Sequence, residues 1–219
     1  MNPDPSDYLQ PMPFVDCDDP AIAAFAETAV GEAHSAKQKA IALYAAVRDR
    51  IQYDPYVDVM DPANYRASGV LGAGKGFCVG KSSVLTAAAR LAGIPARPGY
   101  ADVRNHLTSK RLQENIGDTF YWHSYTELFI DGQWVKCTPA FDKALCERAN
   151  IAPLEFDGVN DSLFHPFDAA GRRHMEYLND RGAFADVPYA TIAADFRKFY
   201  PKLVAVSRSA ASFRDEVTA

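Results

Sequence analysis

The stretch from Tyr121 to Thr138 constrains the fold more than any other part of the chain. Tyr-Trp-His-Ser-Tyr-Thr-Glu-Leu-Phe-Ile runs into Asp131-Gly132 and then Gln-Trp-Val-Lys-Cys-Thr. Aromatic and β-branched residues on both sides of an Asp-Gly pair predict an antiparallel hairpin with a two-residue turn, since both turn positions demand positive φ. In that register Ile130 pairs with Gln133, and His123 falls opposite Ala140.

Helical signals precede the hairpin. Asp18-Asp19-Pro20 sets an acidic cap and a first-turn proline before an Ala-rich amphipathic segment reaching about Ala33. Ser35 predicts a second cap, and that helix fades at Ile51-Gln52-Tyr53 because Asp54-Pro55 stops it. Residues 54–77 hold two prolines and four glycines without helical periodicity and read as loop. A strong helix starts at about Cys78, with Val79, Leu85, Ala88, Ala89 and Leu91 at helical spacing, and Gly93 ends it before Ile94-Pro95. Ala96 to Val103 reads as a strand. Beyond Ala144 the chain reads as helix and loop, with a helix from Tyr189 to Tyr200 ending at Pro201. The expectation is a single α+β domain: an arm over residues 1–17, a core over 18–142, and a C-terminal extension over 143–219 packed on that core.

Charge narrows the range of partners. Twenty-three basic residues against 28 acidic ones give a net charge of -5, and the cations are scattered, with Arg172-Arg173 too short a run to matter. Nucleic acid and anionic membranes select clustered Lys and Arg, so neither is expected as a partner. The start, MNPDPSDYLQPMP, lacks a charged n-region and an apolar h-region, and no apolar run approaches a membrane span, so the expected compartment is the cytoplasm. Cys17, Cys78, Cys137 and Cys146 form no CxxC pair, which argues against a structural zinc site, and a reducing compartment argues against disulfides. Neither metal nor cofactor is expected. Gly80-Lys81-Ser82 has the end of a phosphate loop but lacks its first glycine, since Lys75 stands in that place.

Cys78 is the cysteine with a physical reason to react. A helix start following a glycine-rich loop offers partial positive charge and unpaired N–H groups, which favour thiolate and can hold an oxyanion. Such a nucleophile needs a base, and among the five histidines His123 lies within a rigid strand. His34, His106, His165 and His174 read as surface residues, and Cys17, Cys137 and Cys146 as buried small apolar groups. Glu127 shares the strand face of His123 and reads as a neighbour rather than a metal ligand. Trp122 and Tyr125 read as packing residues. Tyr53 and Tyr65 are both available as oxyanion donors, and the sequence does not choose between them.

Gly76-Phe-Cys78-Val-Gly-Lys-Ser-Ser-Val-Leu-Thr-Ala-Ala-Ala-Arg90-Leu-Ala-Gly93-Ile-Pro95-Ala-Arg97 closely resembles the core of the transglutaminase-like superfamily, bacterial cysteine protease-like members included. His123-Ser-Tyr125-Thr-Glu127 followed by Asp131-Gly132-x-Trp134 resembles its second block. The resemblance covers roughly residues 45 to 142 and implies a papain-like Cys-His-Asp triad, on a helix packed against an antiparallel sheet. Cys78 and His123 fall on the first two positions. The third departs: an aspartate usually stands four residues after the tryptophan, and here that residue is Thr138. Asp142 is the preferred orienter of the His123 ring, as a diagonal cross-strand neighbour, with Thr138 as the uncharged alternative.

The expected reaction is acyl transfer from a peptide or amide through a thioester on Cys78. Water as acceptor makes a peptidase or amidase, the preferred reading because no element for excluding water is visible, and an amine makes a transglutaminase. Alternatives are an arylamine- or acyl-carrier-type acyltransferase, which predicts a deep apolar cleft, and a degenerate peptide-binding module with an unreactive Cys78. The segments Phe164–Phe167 and Gly171–Leu178 are expected to shape or cover the cleft.

Overall fold

The computed structural model describes residues 4–106, 109–164, 175–206 and 213. Four helices occupy the first half. Asp19 caps α1 (Pro20–Val30), and Ser35 caps α2 (Ala36–Arg50) in a reciprocal box with Gln38. Next comes α3 (Ala67–Ala73), a short helix where the sequence reads only loop. Its glycines mask the periodicity, and Gly74 closes it at φ +66, a left-handed cap that glycine takes without strain. The two-residue strands β1 (Gln52–Tyr53) and β2 (Lys75–Gly76) then pair in parallel, which leads the chain straight into α4 (Cys78–Leu91).

α4 is the centre of the molecule. Its residues Val79 to Arg90 are buried, with α1, α2 and α3 against it and the sheet strands β3 (Ala96–Asn105) and β4 (Thr119–Ile130) also in contact. A Cβ on Gly80 would stand 2.6 Å from the Asn64 carbonyl oxygen, so only glycine lets the first turn of α4 lie against that loop. Hydroxyls fix the helix to the sheet: Ser82 Oγ donates to the Tyr125 carbonyl at 2.8 Å and lies 2.7 Å from Thr126 Oγ1. At the far end the buried Arg90 guanidinium donates to the carbonyls of Ala96, Gln10 and Ala185, binding the N-terminal arm and the chain after the last strand to one point.

After α5 (Lys110–Ile116), β4 and β5 (Gln133–Cys137) form the expected hairpin. Asp131 and Gly132 both have positive φ, and Ile130 pairs with Gln133. The chain continues through α6 (Lys143–Ala149), β6 (Met175–Ala183), α7 (Tyr189–Phe199) and α8 (Pro201–Val206). The sheet order is β5-β4-β3-β6, antiparallel throughout. The expected α+β arrangement, with N-terminal helices and the Cys78 helix packed on an antiparallel sheet, is the one observed. In this four-stranded sheet one strand was not expected. β6 arises where the sequence reads as helix and loop, because Glu176, Asn179, Asp180 and Arg181 give it the charged composition of an edge strand rather than a core one.

Among the described residues no helix is long and apolar enough to cross a membrane, and no group of three or more His, Cys, Asp or Glu residues could hold a metal ion.

Candidate active site

Cys78 is the first residue of α4, and Phe77 stands at the cap position without a side-chain hydrogen bond. The helix start therefore leaves its N–H groups for whatever lies beside the thiol. The backbone N–H groups of Ser124, Val79 and Cys78 face the sulfur and pull its pKa down. Burial is the larger effect and pushes the thiol up to about 11. The sequence reading expected a lowered value from the helix start alone. Desolvation of the thiolate outweighs three N–H donors because no cation stands among the groups that stabilise it.

His123 lies in β4 opposite Ala101 of β3 and is buried, with 5% of its surface exposed. Its ring packs at 5.7 Å from the Phe164 ring and 6.5 Å from Tyr177 of β6. Cys78 and His123 line the same cavity. Two hydroxyl contacts keep the two elements in register, since Ser82 lies four residues from Cys78 and Tyr125 two residues from His123.

The residue before the histidine has an unusual backbone. Trp122 has φ +62, and the β3–β4 register shifts there, so that Val103 pairs with Phe120 whereas Ala101 pairs with His123. This extra residue is a β-bulge, a device that re-aims the next side chain. A left-handed tryptophan is costly and persists only where its surroundings hold it. Here Asp102 Oδ1 accepts from the Trp122 N–H at 3.2 Å and from Arg181 Nε at 2.6 Å. Asn179 donates to the other Asp102 oxygen at 3.2 Å, the indole N–H donates to Asp195 at 2.7 Å, and Arg181 lies over the indole at 4.3 Å. Nothing in the sequence pointed to Asp102, Arg181 or Asp195, which come from β3, β6 and α7.

Asp142 caps α6, accepting from Leu145 N at 3.0 Å, and its second oxygen accepts from Tyr53 N at 2.9 Å. It is not among the residues lining the cavity. The β4–β5 ladder stops at Thr126 and Cys137, because Cys137 bridges to Ser162 and Thr138 N donates to the Ser162 carbonyl. The cross-strand diagonal from His123 to residues 138 and 142 therefore has no ladder beneath it. Thr138 is buried at 1% exposure, and its carbonyl accepts from Tyr44.

The remaining sequence candidates separate clearly. Tyr53 lines the cavity, and its phenol pKa is raised by burial and then by the neighbouring Cys78. Tyr65 instead donates its hydroxyl to the Val59 carbonyl at 2.8 Å. Glu127 pairs with Arg97 at 2.6 Å, and Arg97 also lies over the Trp134 ring at 4.1 Å. Cys17, Cys137 and Cys146 are buried free thiols, and His34 and His106 are exposed. His165 and His174 lie outside the described residues, as do most of the two segments expected near the cleft. The described ends of those segments, Phe164 and Tyr177, pack on His123.

Comparison with known proteins bears on this geometry. A chain from Cytophaga hutchinsonii, described as a proposed cysteine protease, superposes with a TM-score of 0.53 at 17% identity, over 88% of this chain and 50% of that one. This likeness shows the fold, and the chain spans about half the length of that relative. A structure described as a TGase matches at 20% identity and TM-score 0.43, over 57% of this chain and 32% of that one. A proposed protease from Parabacteroides distasonis matches at 16% and 0.38, over 61% of this chain and 26% of that one. No curated protein matches. The family model described as transglutaminase-like superfamily matches residues 23–139, more than half of the chain, and spans Cys78, His123 and the whole hairpin. The chain belongs to the transglutaminase-like superfamily.

Proposed function

We propose that the protein is a cysteine-dependent enzyme that transfers an acyl group from an amide through a thioester on Cys78. The observation that carries this reading is the shared cavity of Cys78 and His123, with backbone N–H donors facing the sulfur. Family membership supports the same class, a cysteine-based hydrolase or acyltransferase.

The raised thiol pKa shapes the mechanism. Cys78 stays protonated at neutral pH, so His123 takes its proton as the sulfur attacks rather than beforehand. The S–C bond forms, and the carbonyl oxygen takes up the electron pair as an oxyanion. N–H donors at the start of α4 stabilise that oxyanion, together with the Tyr53 phenol. What supports Tyr53 over Tyr65 is its place in the cavity, with a pKa raised enough to keep it a donor. Protonated His123 then gives its proton to the departing amine as the C–N bond breaks. Water closes the cycle by releasing the acid. Asp142 enters as a positioning residue: its carboxylate holds the Tyr53 backbone, and it is the group proposed to orient the His123 ring. Packing between Phe164 and Tyr177 orients the His123 ring.

One observation favours a second reading, an acyltransferase with an amine or thiol acceptor. Apolar side chains of α5, α7 and α8 line the cavity and supply an element that could exclude water, so its expected absence no longer argues for hydrolysis. In either case a peptidyl vinyl sulfone should add its mass to Cys78 alone. Cys78→Ala should abolish the adduct, and His123→Ala should slow it by about 100-fold or more. An adduct that persists in Cys78→Ala would sink the assignment. A reducing compartment such as the cytoplasm fits the four free thiols.

A further inference from the structure

We infer that the cavity at Cys78 is the acyl-group site, and that it selects an uncharged, apolar acyl chain or aromatic acyl group over a carboxamide or a carboxylate. The inference rests on the acyl-transfer reading above and adds the class of substrate to it.

The cavity lining holds two kinds of group. Three are suited to a reacting carbonyl: the Cys78 thiol, the His123 ring and the Tyr53 phenol. Apart from the Tyr121 and Tyr200 phenols, the other described lining side chains are carbon. Leu112 and Ile116 come from α5, Phe120 from β4, Phe196 from α7 and Leu203 from α8. Among the described residues no charged side chain lines it, and the Tyr200 phenol is already committed. Its hydroxyl donates to the Thr119 carbonyl at 2.9 Å and accepts from the Tyr121 N–H.

Against the carbon side chains described here a carboxamide would lose its water without gaining partners for its N–H groups, and a carboxylate would find no counter-charge among the described lining residues. An alkyl or aryl group loses nothing polar and gains burial.

Three 4-nitrophenyl esters with acyl groups of similar length test this: hexanoate, glutaramate and glutarate. Release of 4-nitrophenolate gives kcat/KM, and intact mass locates the acyl group. The hexanoyl ester should acylate Cys78 fastest, the carboxamide about 10- to 100-fold more slowly, and the carboxylate more slowly still. Equal rates for hexanoyl and carboxamide esters would overturn the inference while leaving the nucleophile in place. Acylation of Cys78 by none of the three would overturn the acyl-transfer reading itself, and this inference with it.

Ile116 is only half-buried, so Ile116→Lys tests the wall without emptying the core. It should raise the glutarate-to-hexanoate ratio by about tenfold or more. A folded Ile116→Lys protein with an unchanged ratio would place the acyl group elsewhere.

Discussion

His123 stands between two regions built of opposite materials. On the cavity side, Phe120, Phe196, Leu112 and Leu203 offer carbon alone. One residue back along β4, Trp122 lies in a network of Asp102, Arg181, Asn179 and Asp195, in which hydrogen bonds meet charges from three separate elements. The apolar wall leaves room for a ligand, whereas the charged network holds backbone. A strained bulge needs directional bonds to keep it, and directional bonds would be a liability in a space that has to admit an acyl chain. The polarity of each region thus follows from its task, to admit a substrate or to hold a shape.

The sharpest way to break the comparison is to remove the centre of the network. Asp102→Ala leaves the Arg181 guanidinium, the Asn179 amide and the Trp122 N–H without their acceptor, and it should cost about 3 kcal/mol in urea unfolding. It should also lower Cys78 acylation in the protein that remains folded. A loss below about 1 kcal/mol would show that the bulge stands without its anchor.

A middle case is Lys81, a charge-bearing group on α4 with carbonyls as its recorded acceptors. It is fully buried and donates to the carbonyls of Arg48 and Ile51 at 2.9 and 2.6 Å, and burial lowers its pKa to about 7. Between pH 7 and the unfolded lysine value of 10.5, the unfolded chain holds a proton that the folded one lacks. Stability should therefore rise with pH, by about 2 kcal/mol from pH 7 to 9. Above pH 9 the raised thiols of Cys78 and Cys146 reverse the trend, since they ionise more readily unfolded. Denaturant titrations of Lys81→Met should lose the pH 7–9 slope, and a slope retained in full would remove Lys81 as its source.

The smallest effect is expected where a polar group serves the apolar region. Tyr200→Phe removes the hydroxyl shared by Thr119 and Tyr121 but keeps the ring in the cavity wall. It should cost about 1–2 kcal/mol in stability and leave the ester preference unchanged. An altered preference would mean that the phenol faces the acyl group after all.

The parts of the molecule legible in the sequence are those whose structure is local. Asp131-Gly132 set the hairpin register because its geometry is encoded in two adjacent residues, and Ser35 marked a helix start through a residue three positions on. The helix start at Cys78 and the strand around His123 were legible because each is a local signal. The missed features depend on distant partners. The ladder stops at Cys137 because Ser162 competes for the next position, and the Asp102 network needs β6 and α7. Likewise, a helix-start argument for a low thiol pKa could not weigh the burial that reverses it.

One consequence follows from where β6 lies. The span matched by the family ends at residue 139, yet β3 pairs along its outer side with residues 175–183. Without β6, the buried stretch of β3 around Tyr100 and Val103 would offer a row of open backbone groups to any other extended chain. Among the described residues the strand outside β3 carries Glu176, Asp180 and Arg181 instead, and a charged edge recruits neighbours poorly. β6 thus covers an edge of the matched core that would otherwise be open to pairing.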